Sequence, residues 1–195
     1  SDYAGAVSFS DAQLVLFPVR CTKAGYVYAT SPLALARAKR LLTLSGLKTW
    51  DDLASPTSTQ CVVIQDHLLV EKVNDKGQRN KMLYVEAYEL TAKTDDKLKA
   101  IATTLANYAL ANDQDFFKNK IINDLVLMSD DDFSYFVKNA TSIEPHVRIN
   151  KETGVAEAGG LFYTENLPPE SVMIQNVMSS AERSKTPTDT AEDVL

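Results

Sequence analysis

Residues His146–Glu170, HVRINKETGVAEAGGLFYTENLPPE, open with a short strand-forming run, His-Val-Arg-Ile, and break at Asn150-Lys151-Glu152-Thr153-Gly154. Gly154 is free to adopt the positive φ of a hairpin turn, and Asn150 favours the start of such a turn. The chain resumes at Val155, passes Gly159-Gly160 and enters the apolar segment Leu161-Phe162-Tyr163 before closing on Leu167-Pro168-Pro169. The local reading is a projecting β-hairpin that returns into a buried strand. Phe162 and Tyr163 lie within an apolar run and are expected in the core rather than on a base-stacking platform. Most such hairpins only connect strands, yet a projecting one suits a protein that inserts between bases or subunits.

Around this stretch the chain has ordinary globular proportions. Its 195 residues allow one domain, or a domain with a large insertion, and enough length for a core. Hydrophobic residues make up 45% and charged residues 24%, with no run of about 18 apolar residues, so a membrane span is not expected. Ser-Asp-Tyr-Ala-Gly-Ala has no basic segment leading into an apolar one, and a signal peptide is not expected. The net charge of −6 excludes a surface that grips nucleic acid everywhere, while 20 Lys and Arg leave room for a local basic groove. Cys21 and Cys61 lack CxxC spacing and read as buried free thiols of a cytoplasmic protein. With only His67 and His146 besides, zinc is discarded.

N-terminal to the hairpin, Ser8–Val19 becomes apolar on both faces from Leu14 to Phe17, the pattern of a central strand covered on both sides. Tyr26–Thr30 is a second strand. Ser31 then caps a helix, with Pro32 at its first position, that runs to about Leu44 and ends at Ser45-Gly46. Gln60–Leu69 and Leu83–Leu90 read as two strands, separated by a hydrophilic surface loop, Asn74–Lys81. Thr94–Asp124 is mostly helical, and Val126-Leu127-Met128 is a short apolar strand. Ser129 caps a further helix, with Asp132 in the reciprocal position. Asp130-Asp131-Asp132 is read as favourable charge at a helix N-terminus rather than a metal site. Ser171–Val177 is a strand or short helix.

Several of these blocks resemble the RAMP superfamily. Phe9-Ser10-Asp11-Ala12, Leu16-Phe17-Pro18-Val19-Arg20 and Thr30-Ser31-Pro32-Leu33 carry the resemblance. So do Val126–Phe133, Val147-Arg148-Ile149, Gly160-Leu161-Phe162-Tyr163 and Glu165-Asn166-Leu167-Pro168-Pro169-Glu170, in the same order. The blocks are most similar to backbone subunits of the Cmr (type III-B CRISPR) effector complex. The resemblance implies an α+β fold, an incomplete RRM-like (ferredoxin-like) palm with a helical insertion and a β-hairpin thumb. It divides the chain into palm strands and helix (1–50), a strand-loop-strand segment (51–93), a helical insertion (94–140), the hairpin with its return (141–178) and a polar tail (179–195) expected to be disordered. The implied partners are CRISPR RNA, target RNA, other copies of the subunit in a helical filament, and other Cmr subunits.

The implied activity is metal-dependent cleavage of target RNA, with magnesium or manganese, at six-nucleotide intervals. The family's catalytic aspartate follows the first palm strand, and this sequence is expected to begin beyond it. Its C-terminal glycine-rich loop is expected to lie after Leu195. Where the family often has two adjacent acids and an aromatic, this chain has Thr164-Glu165-Asn166. Glu165 is therefore an auxiliary catalytic candidate, with a structural role as its alternative, and the chain alone is expected to bind rather than cut. Arg20, Lys23, Arg148 and Lys151 are the expected RNA contacts, since a backbone groove needs cations beside close-approaching main chain. Solvated cations, and for Arg148 a cross-strand pair with Glu157, stand as alternatives. The Arg37, Lys39 and Arg40 face is expected to be solvated. A protein-interaction scaffold without RNA affinity remains the other reading of the whole chain. No Walker loop, GxGxxG or Ser-His-Asp arrangement supports another chemistry.

Overall fold

A computed structural model describes residues 5–184 and 189–194. The apolar run expected as a central strand is β2 (Gln13–Cys21), which follows a short β1 (Val7–Phe9). It turns into β3 (Gly25–Thr30), antiparallel to it, with Phe17 opposite Ala29 and Cys21 opposite Gly25. Helix α1 (Pro32–Leu44) starts as its sequence predicts: Ser31 accepts a hydrogen bond from the Ala34 amide and Pro32 opens the first turn. The remaining strands of the main sheet are β4 (Gln60–Val63), β5 (Leu69–Val73), β6 (Arg79–Val85), β7 (Tyr88–Thr94), β8 (Leu125–Met128) and β11 (Val172–Ile174). Helices α2 (Lys97–Ala109) and α3 (Asp115–Asp124) precede β8, and α4 (Asp130–Asn139) follows it. Among the described residues, strands β9 (Ser142–Ile149) and β10 (Ala156–Asn166) pair only with each other, and β12 (Val177–Ser179) pairs with β1.

The main sheet runs β11-β2-β3-β8-β4-β7-β6-β5 and bends until β2 meets β6 at Cys21 and Val85, which closes a ring. One face of every ring strand meets in a single cluster that includes Phe17, Val19, Val27, Val63, Leu83, Val85, Leu90 and Val126, with Phe133 and Phe136 of α4 added. That shared face is the inside of the ring. The alternate residues of β2, β3 and β8 (Val15, Tyr28, Leu125 and Leu127) face α1, α2 and α3 in a second cluster. Both faces of β2 are thus covered, as its continuous apolar run predicts. Pro18 falls between the residues of β2 that pair with β11 and the one that pairs with β6, where a missing amide interrupts no ladder on that edge. No helix is long and apolar enough to cross a membrane among the described residues.

Three expectations are corrected. Gln60–Leu69 is not one strand: β4 stops at Val63, a single 3-10 turn (Asp66–Leu68) intervenes, and β5 begins at Leu69. Leu83–Leu90 is a hairpin rather than a strand. Glu86 takes φ +49 in a turn made without glycine, and Val85 then pairs with Tyr88. Much of the hydrophilic Asn74–Lys81 loop is itself ladder, since Val73 pairs with Arg79 and Glu71 with Lys81 across a tight turn at Gly77.

The acidic triplet caps helices, its positions set by hydrogen bonds. Ser129 Oγ accepts from the Asp132 amide at 3.1 Å, and Asp132 accepts from the Thr59 amide at 2.9 Å and Ser58 Oγ at 3.1 Å. Asp130 accepts from the Leu33 amide at 2.9 Å, so α4 also caps α1. Cys21 and Cys61 are free and buried. The disorder expected of the polar tail falls partly on residues 185–188 and 195, outside the described residues. Within 189–194, Ser179 Oγ donates to the Ala191 carbonyl at 2.6 Å.

Candidate nucleic-acid interface

Lys23 stands on the three-residue turn between β2 and β3, which Gly25 makes possible by taking φ +73, and Arg20 lies just before that turn in β2, paired with Tyr26. Both side chains are exposed. The turn is held from the β6–β7 side by main-chain bonds: the Glu86 amide donates to the Arg20 carbonyl at 3.0 Å, and the Thr22 amide to the Tyr84 carbonyl at 3.3 Å. The Arg20 amide in turn donates to the Glu86 carboxylate at 3.3 Å. From α3, Lys120 Nζ donates to the carbonyls of Tyr26 at 2.7 Å and Ala24 at 3.1 Å. Its ammonium also lies 4.5 Å from the Tyr26 ring centroid and bonds the Asp124 carboxylate. His67 Nε2 meets the other Asp124 oxygen at 2.7 Å. Lys23 thus sits at the apex of the turn and Arg20 in the strand leading into it, beside main chain that is hydrogen-bonded from two sides.

The second pair, Arg148 and Lys151, belongs to the β9–β10 arm. Asn150 organises its tip as predicted: Oδ1 accepts from the amides of Glu152 at 2.9 Å and Thr153 at 3.0 Å, and Gly154 takes φ +69. Lys151 is exposed in that turn. Arg148 lies 3.7 Å from Glu157, an exposed ion pair of small net value. The ladder shifts register between Ala156 and Leu161, where Gly159 and Gly160 form a bulge.

The arm does not return into a buried strand, which corrects the expectation for Phe162 and Tyr163. Leu161, Phe162 and Tyr163 are 58%, 50% and 64% exposed. An apolar run of this length cannot show whether a core or solvent lies opposite, and here no other strand among the described residues pairs with either edge. Cross-strand pairs divide the arm into two faces. Leu161–Val147 and Tyr163–Pro145, joined by Ile143 and Ile149, make an apolar face. The other carries Phe162–His146 and Thr164–Glu144. His146 stacks on Phe162 at 5.2 Å and reaches Thr164 Oγ1 at 2.8 Å.

Glu165 lies at the base of the arm, where Thr141 Oγ1 donates to its carboxylate at 2.6 Å. Among the described residues no three His, Cys, Asp or Glu side chains converge. A divalent cation such as magnesium is ordinarily held by more than one protein or phosphate oxygen, so Glu165 alone does not make a metal site. Beyond it, Tyr28 donates to the Glu170 carboxylate at 3.1 Å and ties the Pro-Pro segment to β3. Burial, then Tyr26 and Glu170, push the Tyr28 phenol far above its ordinary pKa.

The expected residues therefore fall into two places, Arg20 with Lys23 on the ring and Arg148, Lys151 and Glu165 on the arm. The reading from sequence missed Lys120, Asp124 and His67, which hold the first of these. Lys120 and Asp124 are spaced i, i+4 on α3, but that spacing marks any surface helical pair. It becomes informative only once Tyr26, distant in sequence, packs beside them.

The family pattern of the RAMP superfamily matches residues 1–190, and the chain belongs to that superfamily. It is 32% identical over 177 residues to the CRISPR system Cmr endoribonuclease Cmr4 of Pyrococcus furiosus, covering 91% of this chain and 56% of that protein. The chain thus spans little more than half the length of this curated relative. In fold it is similar to the crystal structure of oligomeric Cmr4 from Pyrococcus furiosus, with a TM-score of 0.64 at 24% identity over 93% of this chain and 59% of that one. The cryo-EM structure of the type III-B Cmr-beta complex bound to cognate target RNA contains a chain of similar fold, with a TM-score of 0.58 at 15% identity. That match covers 94% of this chain and 60% of the other.

Proposed function

We propose that this chain is the larger part of a Cmr4-like backbone subunit of a type III-B CRISPR effector, and that it binds CRISPR RNA and target RNA beside further copies of itself and other Cmr subunits. The observation that carries this reading is the 32% identity to Cmr4 over 91% of the chain. In it, Arg20, Lys23, Arg148 and Lys151 neutralise backbone phosphates, and the β9–β10 arm is the thumb that interrupts the guide–target duplex. The RRM-like palm is supported by strand direction: β8 lies between β3 and β4, parallel to the first and antiparallel to the second, and α1 connects those two. Helices α2 and α3 carry the helical insertion drawn over 94–140.

Cleavage with magnesium or manganese is proposed for the whole protein only, with Glu165 in an auxiliary place; no step through a metal is derived from the residues present. Titrating CRISPR RNA over a salt series tests the binding. Log affinity is expected to fall linearly with log salt, and replacing Arg20, Lys23, Arg148 and Lys151 by alanine is expected to flatten that line. No binding at low salt refutes the proposal.

A second reading, a protein-interaction scaffold without RNA affinity, is favoured by the apolar face of the arm, which phosphates cannot cover. Absent RNA binding with intact association to partner subunits would establish it instead.

A further inference from the structure

We infer that Lys120 is a positioning residue for RNA binding: it sets the geometry of the β2–β3 turn without touching RNA, an inference that rests on the proposed contact of Arg20 and Lys23 with phosphate. The side chain is mostly buried, with 14% exposed, and its partner Asp124 has 8% exposed. A lysine this deep is uncommon unless every donor is used. Here the three donors meet the Ala24 carbonyl, the Tyr26 carbonyl and the Asp124 carboxylate, while the Tyr26 ring takes the remaining face of the charge.

The pattern of these bonds is specific. The β6–β7 hairpin bonds Arg20 and Thr22 on the entry side of the turn, and Lys120 bonds Ala24 and Tyr26 on its exit side. Lys23 stands alone at the apex between the two grips. Gly25 lies inside the part that Lys120 holds and is the residue most able to move. Stability by itself does not call for a charge here, since buried ion pairs are commonly replaced by apolar groups at little cost. What an apolar side chain cannot do is draw two carbonyls that flank a glycine to one fixed point. His67, at 2.7 Å from Asp124, fixes the carboxylate that aligns the ammonium. A turn already ordered spares the RNA complex the entropy of ordering it, which for a few residues is enough to change affinity.

The test is a double-mutant cycle on this chain, with labelled CRISPR RNA as the probe and circular dichroism as the control for folding. Lys120→Met is expected to weaken binding about fivefold in the wild-type background and less than about twofold when Arg20→Ala and Lys23→Ala are already present. Lys120→Arg, which keeps the charge and the donors, is expected to retain most of the affinity. Asp124→Asn supplies an independent variant with the same non-additivity should Lys120→Met fold poorly. Equal losses in both backgrounds, or no loss in either, overturn the positioning role alone. Unchanged binding on removing Arg20 and Lys23 overturns the proposed RNA contact, and the positioning role with it.

Discussion

Gly160→Ala probes whether the β9–β10 arm is an independent unit. A methyl group there would stand 2.9 Å from the Glu157 carbonyl oxygen, 3.1 Å from Arg148 Cβ and 3.2 Å from the Arg148 carbonyl oxygen. Two of these are main-chain atoms and cannot rotate away, so the strands must part by a few tenths of an ångström. Overpacking of this kind costs about 1–3 kcal/mol. The cost should fall on the arm, because among the described residues β9 and β10 pair with no other strand, and a lone two-stranded ribbon is marginal in water. A local loss of about 2 kcal/mol speeds opening roughly thirtyfold. Hydrogen exchange followed by NMR is therefore expected to accelerate by that factor at Val147, Arg148 and Leu161, and to stay unchanged at Val126 and Leu127. Gly159→Ala, with open space around it but φ +74, should cost only the left-handed backbone strain of about 1–2 kcal/mol. Uniform acceleration with a lower melting temperature would show that the arm and the ring unfold together. Unchanged exchange in the arm would show that the bulge yields freely. Either result refutes the reasoning.

Phe17 is fully buried inside the ring, and Phe17→Ala should cost about 3–5 kcal/mol in a denaturant melt; a loss below about 1 kcal/mol would show that the inner face is not close-packed. Asp132→Ala removes the acceptor for Thr59, Ser58 and Ser129 and should cost about 1–2 kcal/mol, whereas Asp131→Ala, exposed beside it, should stay within about 0.5 kcal/mol. Burial, with Asp132 adding, pushes the Cys61 thiol up to about 12. Native protein at pH 8 should leave Cys61 unmodified by Ellman's reagent, and unfolding should expose it. The unfolded thiol ionises from its ordinary value of 9.0 while the folded one stays protonated, so this contribution to stability is intact below that pH. It is lost as pH rises toward about 12, and melts of Cys61→Ala over the same range should show a shallower decline than wild type.

What could be read from the sequence was local. Ser31-Pro32 and Ser129 announce helix starts because capping is settled by a few adjacent residues, and Leu14–Phe17 announces a strand covered on both sides. The turn at Glu86 was illegible because it contains no glycine or proline, and the alternation of Leu83, Val85 and Ala87 runs through it, shifting only at Glu89-Leu90. Leu161–Tyr163 looked like core because hydrophobicity records a preference for burial, not whether the fold supplies a surface to bury against. For the candidate site, the cations were visible in the sequence that follows a buried apolar run, although Arg20 proves to lie at the strand's own end and only Lys23 is a turn residue. The support beneath them was not, since Lys120 reaches Ala24 and Tyr26 across more than ninety residues.

Closing the ring also has a kinetic consequence. The Arg20 amide meets the Glu86 carboxylate 66 residues further along the chain, beside the Cys21–Val85 pair, the seam that joins β2 to β6. Contacts between distant segments carry a large loop-closure entropy, so they tend to form after the local ones are in place. The seam should therefore be among the last parts of the fold to assemble, with the β2–β3 turn ordered only when it shuts. In pulse-labelled refolding the amides of Thr22 and Glu86 should gain protection later than those within α1 and α2, whose bonds are local; simultaneous protection would contradict this order.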